Sequence, residues 1–259
     1  MKLIPWYVLL CGLQAALVLV PVVRRERSRR TDLGLLVPVG AMVVGVGLIR
    51  LVSSGADLLT LLATFGTPIA AAGMGWAVSE RRLSHLATVP AAAALWVAGW
   101  RLSGNLGDAC RALLIAAACV FLAALLGLVA DRRALAAGLV CLVALDCVLV
   151  WGVHQVQPAT NALQQQVPPS LAVAGAGSRP LPALQTVELG NSSMGWLDLF
   201  APAVLGTMLA GAASDRRRAG IAVGVAALAW GLLLLVTSVV AATVPVLVGL
   251  AVSRRAWMG

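Results

Sequence analysis

Two aspartates stand out among the ten acidic residues of the chain, because only Asp146 and Asp198 lie inside long apolar runs. A carboxylate at the centre of a membrane helix costs about 2.5–3.5 kcal/mol, so acids kept in such places usually face protein or water and serve a function. Two carboxylates that share a site of low dielectric constant cannot both ionise, and they hold one proton between them. Such a pair can activate a water molecule and protonate a leaving amine, which is the chemistry of an aspartic protease.

The same two residues allow other interpretations. Each could be a separate acid that is hydrogen-bonded to Ser, Thr or backbone groups. Together they could also form the proton or cation site of a small membrane transporter. From the residues alone, both the protease and the transporter stay open.

The composition indicates which elements must hold these acids. Apolar residues make up 61% of the chain, charged residues 11%, and the mean hydropathy is +0.96. Apolar runs of about 20 residues recur along the whole sequence, which predicts an all-α polytopic membrane protein. The net charge of +9 does not indicate nucleic-acid binding, because the arginines lie in short clusters between apolar runs, where they encode membrane topology.

The five cysteines also lie in or beside apolar runs, and their spacing indicates neither a zinc site nor a disulfide framework. We expect neither a metal nor an organic cofactor.

About nine transmembrane spans are predicted, at 3–23, 33–52, 56–78, 86–102, 109–130, 134–154, 195–214 and, as two short helices, within 219–252. Pro68 is expected to break the third span, and Thr237-Ser238 to divide the last two. Residues 155–190 are rich in Gln and Pro and are expected to form a loop or flexible segment. The predicted organisation is an N-terminal membrane region (1–133) and a C-terminal one (134–259) that contains loop 155–194.

The distribution of basic residues predicts the orientation of these spans. One side of the layout holds 14 of the 19 bases, and the other side holds Lys2, Arg50, Arg101, Arg111 and Arg179. Cytoplasmic loops are enriched in Lys and Arg, so the N-terminus is expected outside and the C-terminus inside. Both buried acids then fall in the outer half of the membrane.

Three segments resemble the intramembrane aspartic proteases of the presenilin and signal peptide peptidase family. That family carries an Asp in span 6, usually after Tyr, then Gly-x-Gly-Asp in span 7 and Pro-Ala-Leu in span 9. This chain has Leu145-Asp146, then Gly195-Trp196-Leu197-Asp198 with Pro202 four residues later, and Pro245-Val246-Leu247. It departs from the family at Leu145, Leu197 and Val246, and a protease-like protein with lost activity is therefore a further alternative.

The resemblance implies a function for each segment. Asp146 and Asp198 would be the catalytic pair, while Gly195, Leu197 and Pro245-Val246-Leu247 would line the substrate site. Pro202 would free a backbone carbonyl in span 7. The implied substrates are single-span membrane proteins or signal-peptide remnants. The composition, rich in Ala, Val, Leu and Gly with 18 Arg to one Lys, is typical of a GC-rich bacterial genome, so the expected location is a bacterial plasma membrane. No nucleic-acid partner is expected, and the sequence does not indicate an oligomeric state.

Overall fold

The computed structural model describes residues 4–23, 55–79, 82–152, 184, 186–189, 192–235 and 240–258. These residues are mostly helical, which confirms the all-α class. The elements in chain order are α1 (Ile4–Leu19), α2 (Gly55–Ala72), α3 (Met74–Val78), α4 (Arg82–Arg101), α5 (Asn105–Val129), α6 (Arg132–Cys147) with a π-helical turn (Val148–Gly152), β1 (Thr186–Leu189), β2 (Ser192–Gly195), α7 (Trp196–Met208), α8 (Ala213–Trp230) with a 3-10 turn (Gly231–Leu235), α9 (Val244–Val252) and α10 (Arg254–Met258).

Helix α5 connects two groups of helices. On one side α2, α3 and α4 pack against it, and on the other side it contacts α7 and strand β1. The second group contains α6, α7, α8 and α9, and α1 packs within it against α7 and α8. The first helix of the chain therefore lies among the last ones, beside the segment that carries Asp198.

Small residues allow α1 to approach its neighbours closely. A Cβ atom on Gly206 of α7 would lie 2.8 Å from the carbonyl oxygen of Val18 and 2.9 Å from that of Leu17. Gly220 and Gly224, one helical turn apart on α8, face α1 in the same way. Such small-residue contacts are typical of helix pairs in membranes, where packing rather than the hydrophobic effect drives association.

The break expected at Pro68 is wrong, because α2 continues through this residue to Ala72. A proline cannot donate to the carbonyl four residues earlier, which here belongs to Thr64. The indole N–H of Trp96 on α4 donates to that carbonyl instead, at 3.2 Å. The interruption comes at Gly73, where a Cβ atom would lie 2.5 Å from the ring of Phe121.

The described part of 219–252 contains α8 with its 3-10 turn, which begins earlier at Ala213, and α9. The predicted division at Thr237-Ser238 lies outside the described residues. The second predicted span (33–52) lies outside the described residues. Within the described ranges, one helix, Asn105–Val129, is long and apolar enough to cross a membrane. Shorter apolar helices cover Pro5–Leu19, Leu62–Val78 and Trp196–Met208.

A two-stranded antiparallel hairpin lies at the end of the segment that was expected to be a loop (155–194). The rest of that segment, apart from Leu184, lies outside the described residues. Thr186 pairs with Gly195 and Leu189 with Ser192. Val187 and Met194 pair directly and are both buried, so one face of the hairpin packs on the core. Strand β2 runs directly into α7, which carries Asp198.

Candidate functional site

Asp146 lies in the last turn of α6, one residue before the helix ends at Cys147. The start of this helix is fixed by Asp131, whose carboxylate accepts a hydrogen bond from the backbone N–H of Ala134 at 2.6 Å. Immediately after Cys147 the backbone changes to a π-helical turn. Such turns are uncommon and are frequent at functional sites.

Asp198 lies in the first turn of α7, and Gly195 precedes that helix as its N-cap. The backbone N–H of Gly195 donates to Oδ2 of Asp198 at 2.8 Å, so the carboxylate folds back over the helix start. A Cβ atom on residue 195 would lie 3.2 Å from the same oxygen. Gly195 therefore acts on the orientation of Asp198, and its lack of a side chain leaves that oxygen room.

The two acids predicted from the sequence come together in the structure. Both side chains are partly buried, and Gln14 binds both the backbone carbonyl of Asp198 and that of Ala242, the residue before Thr243. A third residue completes the group, because the hydroxyl of Thr243 donates to Oδ2 of Asp146 at 2.6 Å. Each carboxylate thus has one fixed oxygen, Asp146 through Thr243 and Asp198 through Gly195.

The residues just before α9 are held by three different helices. We call Ala241–Thr243 the anchoring turn. The carbonyl of Ala241 accepts from the indole N–H of Trp230 on α8, at 3.0 Å. The carbonyl of Ala242 accepts from the amide of Gln14 on α1, also at 3.0 Å, and Thr243 binds Asp146 on α6 as described.

Gln14 also reaches the other acid. Its Nε2 atom donates to the backbone carbonyl of Asp198 at 3.0 Å. That carbonyl is the one that Pro202 cannot serve, as expected from the sequence, because proline lacks an N–H. The side chain of Gln14 is 1% exposed, so both of its N–H groups are used inside the protein.

The remaining residues of the predicted site surround this group. Leu197 is partly buried and packs on the core beside Asp198. Pro245 lies in the first turn of α9 and is buried, Val246 is fully buried in the core, and Leu247 is partly buried against it. The Pro245–Leu247 segment therefore starts two residues after Thr243, which binds Asp146, while the side chain of Val246 faces the core.

Gln14 and Thr243 were missed from the sequence. A signal for Gln14 existed, since an amide in an apolar run is costly unless it is bonded. Thr243 gave none, because threonine is common in membrane helices. Within the described part of the chain, no three His, Cys, Asp or Glu side chains come together as a possible metal site.

Comparisons with protein-family models, with curated proteins and with solved structures give no match to this chain. The site must therefore be interpreted from its own geometry.

Proposed function

We propose that the protein is an intramembrane aspartic protease that uses Asp146 and Asp198 as its catalytic pair. One observation carries this proposal: the only two acids in the apolar runs of the sequence lie in one hydrogen-bonded group, which Gln14 and Thr243 connect. The two acids are 52 residues apart in sequence and come from different helices, and each carboxylate is oriented by its own hydrogen bond.

The exposed side chains of the bundle support the proposed membrane location. Ile69, Leu86 and Leu232 expose 73%, 68% and 65% of their surface, as side chains that face lipid do.

Several helices reach the span length of about 20 residues only when the short helical turn that follows each of them is included. The two parts of α6 contribute 16 and 5 residues, and those of α8 contribute 18 and 5. We propose nine spans, with the N-terminus outside and the C-terminus inside.

The chemistry needs only the two carboxyl groups and water. The ionised carboxylate takes a proton from water while the oxygen attacks the peptide carbonyl. The protonated partner donates a hydrogen bond to that carbonyl oxygen. Both carboxyl groups now carry a proton, and one of them gives its proton to the leaving nitrogen as the C–N bond breaks. No metal or organic cofactor takes part. The dyad ends the cycle with one shared proton, as it began.

A substrate helix must unwind before a water molecule can reach its peptide bond. Strand β2 ends at Gly195, three residues before Asp198, and thus leads directly to the acids. A strand edge offers N–H and C=O groups to an extended peptide. Together with Leu197 and Pro245–Leu247, it would hold the substrate. The substrates would be type II single-span proteins or signal-peptide remnants in a bacterial plasma membrane.

The decisive experiment measures cleavage of a single-span reporter helix by the purified protein in lipid vesicles. Asp146→Asn and Asp198→Asn should each abolish cleavage, because an amide can neither take nor give the required proton. Asp131→Asn is the matched control, since an asparagine oxygen still caps α6. This control should cleave at the wild-type rate, and retained cleavage in either dyad variant would contradict the proposal.

Two other outcomes identify the alternatives. Proton-coupled uptake without proteolysis, lost in both dyad variants, would assign the acids to a transporter. A wild-type protein that is inactive but gains cleavage through Leu197→Gly would be a protease impaired by its own sequence. Leu197 directly precedes Asp198, so its replacement by Gly removes a side chain beside the acid and leaves more room for the substrate.

A further inference from the structure

The anchoring turn is the one described segment in which three consecutive residues bind three different helices. Its middle residue shares the Gln14 amide with Asp198, and its last residue binds Asp146. A continuous path of two side chains and one short turn therefore joins the two acids: Asp198, Gln14, Ala242, Thr243, Asp146.

We propose that Gln14 and Thr243 are positioning residues that set the separation and orientation of the two carboxyl groups through the anchoring turn. The inference rests on the proposed function, because it describes how that pair is arranged. Neither residue is required to touch the substrate.

The geometry of the Gln14 amide explains its part. Its two N–H groups diverge from one planar nitrogen, and each is fixed on a backbone carbonyl. One carbonyl belongs to the first turn of α7 and the other to the anchoring turn. The amide therefore holds these two segments at a fixed spacing. Side-chain hydrogen-bond networks inside a protein restrict the motion of the segments that they join.

Thr243 transmits this spacing to the second acid. Its hydroxyl donates to Asp146 from the residue that follows Ala242, whose carbonyl Gln14 holds. Loss of the hydroxyl leaves the Gln14–Ala242 bond in place, so the turn stays folded while Asp146 becomes free to rotate. A displacement of about 1 Å at a reacting group can cost about 100-fold in rate.

Trp230 provides a control on the same turn. It binds the carbonyl of Ala241, but it contributes to neither link between the turn and the acids. A Trp230→Phe variant removes one hydrogen bond from the anchoring turn and leaves the path between the acids complete.

The activity test compares Thr243→Val, Thr243→Ser, Gln14→Met and Trp230→Phe with the wild type in the reporter assay. Thr243→Val and Gln14→Met should lower kcat by about 10- to 100-fold with KM unchanged. Thr243→Ser should retain the wild-type kcat, because it keeps the hydroxyl, and Trp230→Phe should change kcat by less than about threefold. Equal losses in Trp230→Phe and Thr243→Val, or a failure of Ser to rescue, would assign Thr243 a merely structural role and overturn the proposal.

A second measurement does not depend on proteolysis. Cysteines are placed at Gln14 and Ala242 of a chain without its native cysteines, and a protease site is inserted between residues 155 and 183. A short bifunctional thiol reagent should join the two halves, so that they stay together on a denaturing gel after cutting. A pair at Gln14 and Ser253, at the far end of α9, should not be joined.

The two measurements separate the two proposals. If wild-type protein does not cleave the reporter but the Gln14–Ala242 pair is joined, the proposed function fails and the contact stands. If cleavage is observed and the pair is not joined, the positioning path is wrong and the catalytic pair is not affected.

Discussion

Helices α2 and α7 meet the same problem, since each contains a proline that leaves a carbonyl without its usual donor. Both solve it with a side-chain N–H from another helix. In α2 the indole of Trp96 serves the Thr64 carbonyl, and in α7 the amide of Gln14 serves the Asp198 carbonyl. A buried carbonyl without a donor costs about 1–3 kcal/mol, so each of these two side-chain bonds stabilises its helix at the proline.

The two solutions differ in the donor. An indole has one N–H and can serve one carbonyl, whereas an amide has two and can serve two. The indole bond joins residues 32 apart, between helices that are near neighbours in the chain. The amide bonds join residues 184 and 228 apart and bring three segments to one point. We call the bond in α2 a packing contact, because it joins two neighbouring helices. We call the bonds of Gln14 an organising contact, because they join three segments that are distant in sequence.

The largest effect on stability is expected from Gln14→Leu. It leaves two buried carbonyls without a donor, at about 1–3 kcal/mol each, and should lower the free energy of unfolding by about 2–6 kcal/mol. Unfolding in detergent micelles measures this loss. A cost no greater than that of Trp96→Phe would break the comparison, because it would mean that one of the two bonds contributes nothing.

Trp96→Phe should cost about 1–3 kcal/mol in the same assay, because one carbonyl loses its donor. Cleavage of the reporter should stay at the wild-type rate, since α2 and α4 lie in the helix group away from the two acids. A loss of activity larger than the loss of folded protein would contradict the division between a packing contact and an organising contact.

Replacing the prolines sharpens the comparison further. Pro68→Ala restores an N–H for Thr64 and should recover nearly all of the stability lost in Trp96→Phe. Pro202→Ala restores an N–H for Asp198 but not for Ala242, so it should recover only about half of the loss in Gln14→Leu. Double-mutant cycles measure both recoveries, and full recovery in the second would exclude the Ala242 bond.

The smallest effects concern glycines of α1 and α7. Gly12→Ala should be nearly neutral, because nothing lies within 4 Å of the added Cβ atom. Gly206→Ala should cost about 1 kcal/mol, since its Cβ atom would meet the backbone of Leu17 and Val18 on α1. Because α1 carries Gln14, Gly206→Ala should also lower kcat, and the pair of alanine variants separates this effect from helix propensity.

Much of the site was visible in the sequence because charge in an apolar run is rare. A census of acids finds Asp146 and Asp198 without any structure, and the rule that proline lacks a donor finds the free carbonyl at Asp198. The partner of that carbonyl was not predictable, because it lies 184 residues away and any of several helices could have supplied it. Thr243 carried no signal at all until the fold placed it beside Asp146.

The errors in the fold have physical reasons as well. Pro68 does not end its helix, because Trp96 supplies the donor that the proline lacks. The hairpin at 186–195 was hidden by the Gln- and Pro-rich residues before it, although Gly190-Asn191 between the strands is a typical hairpin dipeptide. The predicted boundary between two membrane regions at residue 133 separates α1 from the C-terminal helices, although α1 packs against them.

The bond between Gln14 and Ala242 also has a consequence for biosynthesis. It joins residues 228 apart, so α1 is synthesised long before its partner. At about 5–20 residues per second, the amide waits for roughly ten seconds or longer. The candidate site is therefore complete only when synthesis is nearly finished. Chains that stop at residue 235 should be degraded faster than full-length chains in a pulse–chase experiment, and equal lifetimes would contradict this timing.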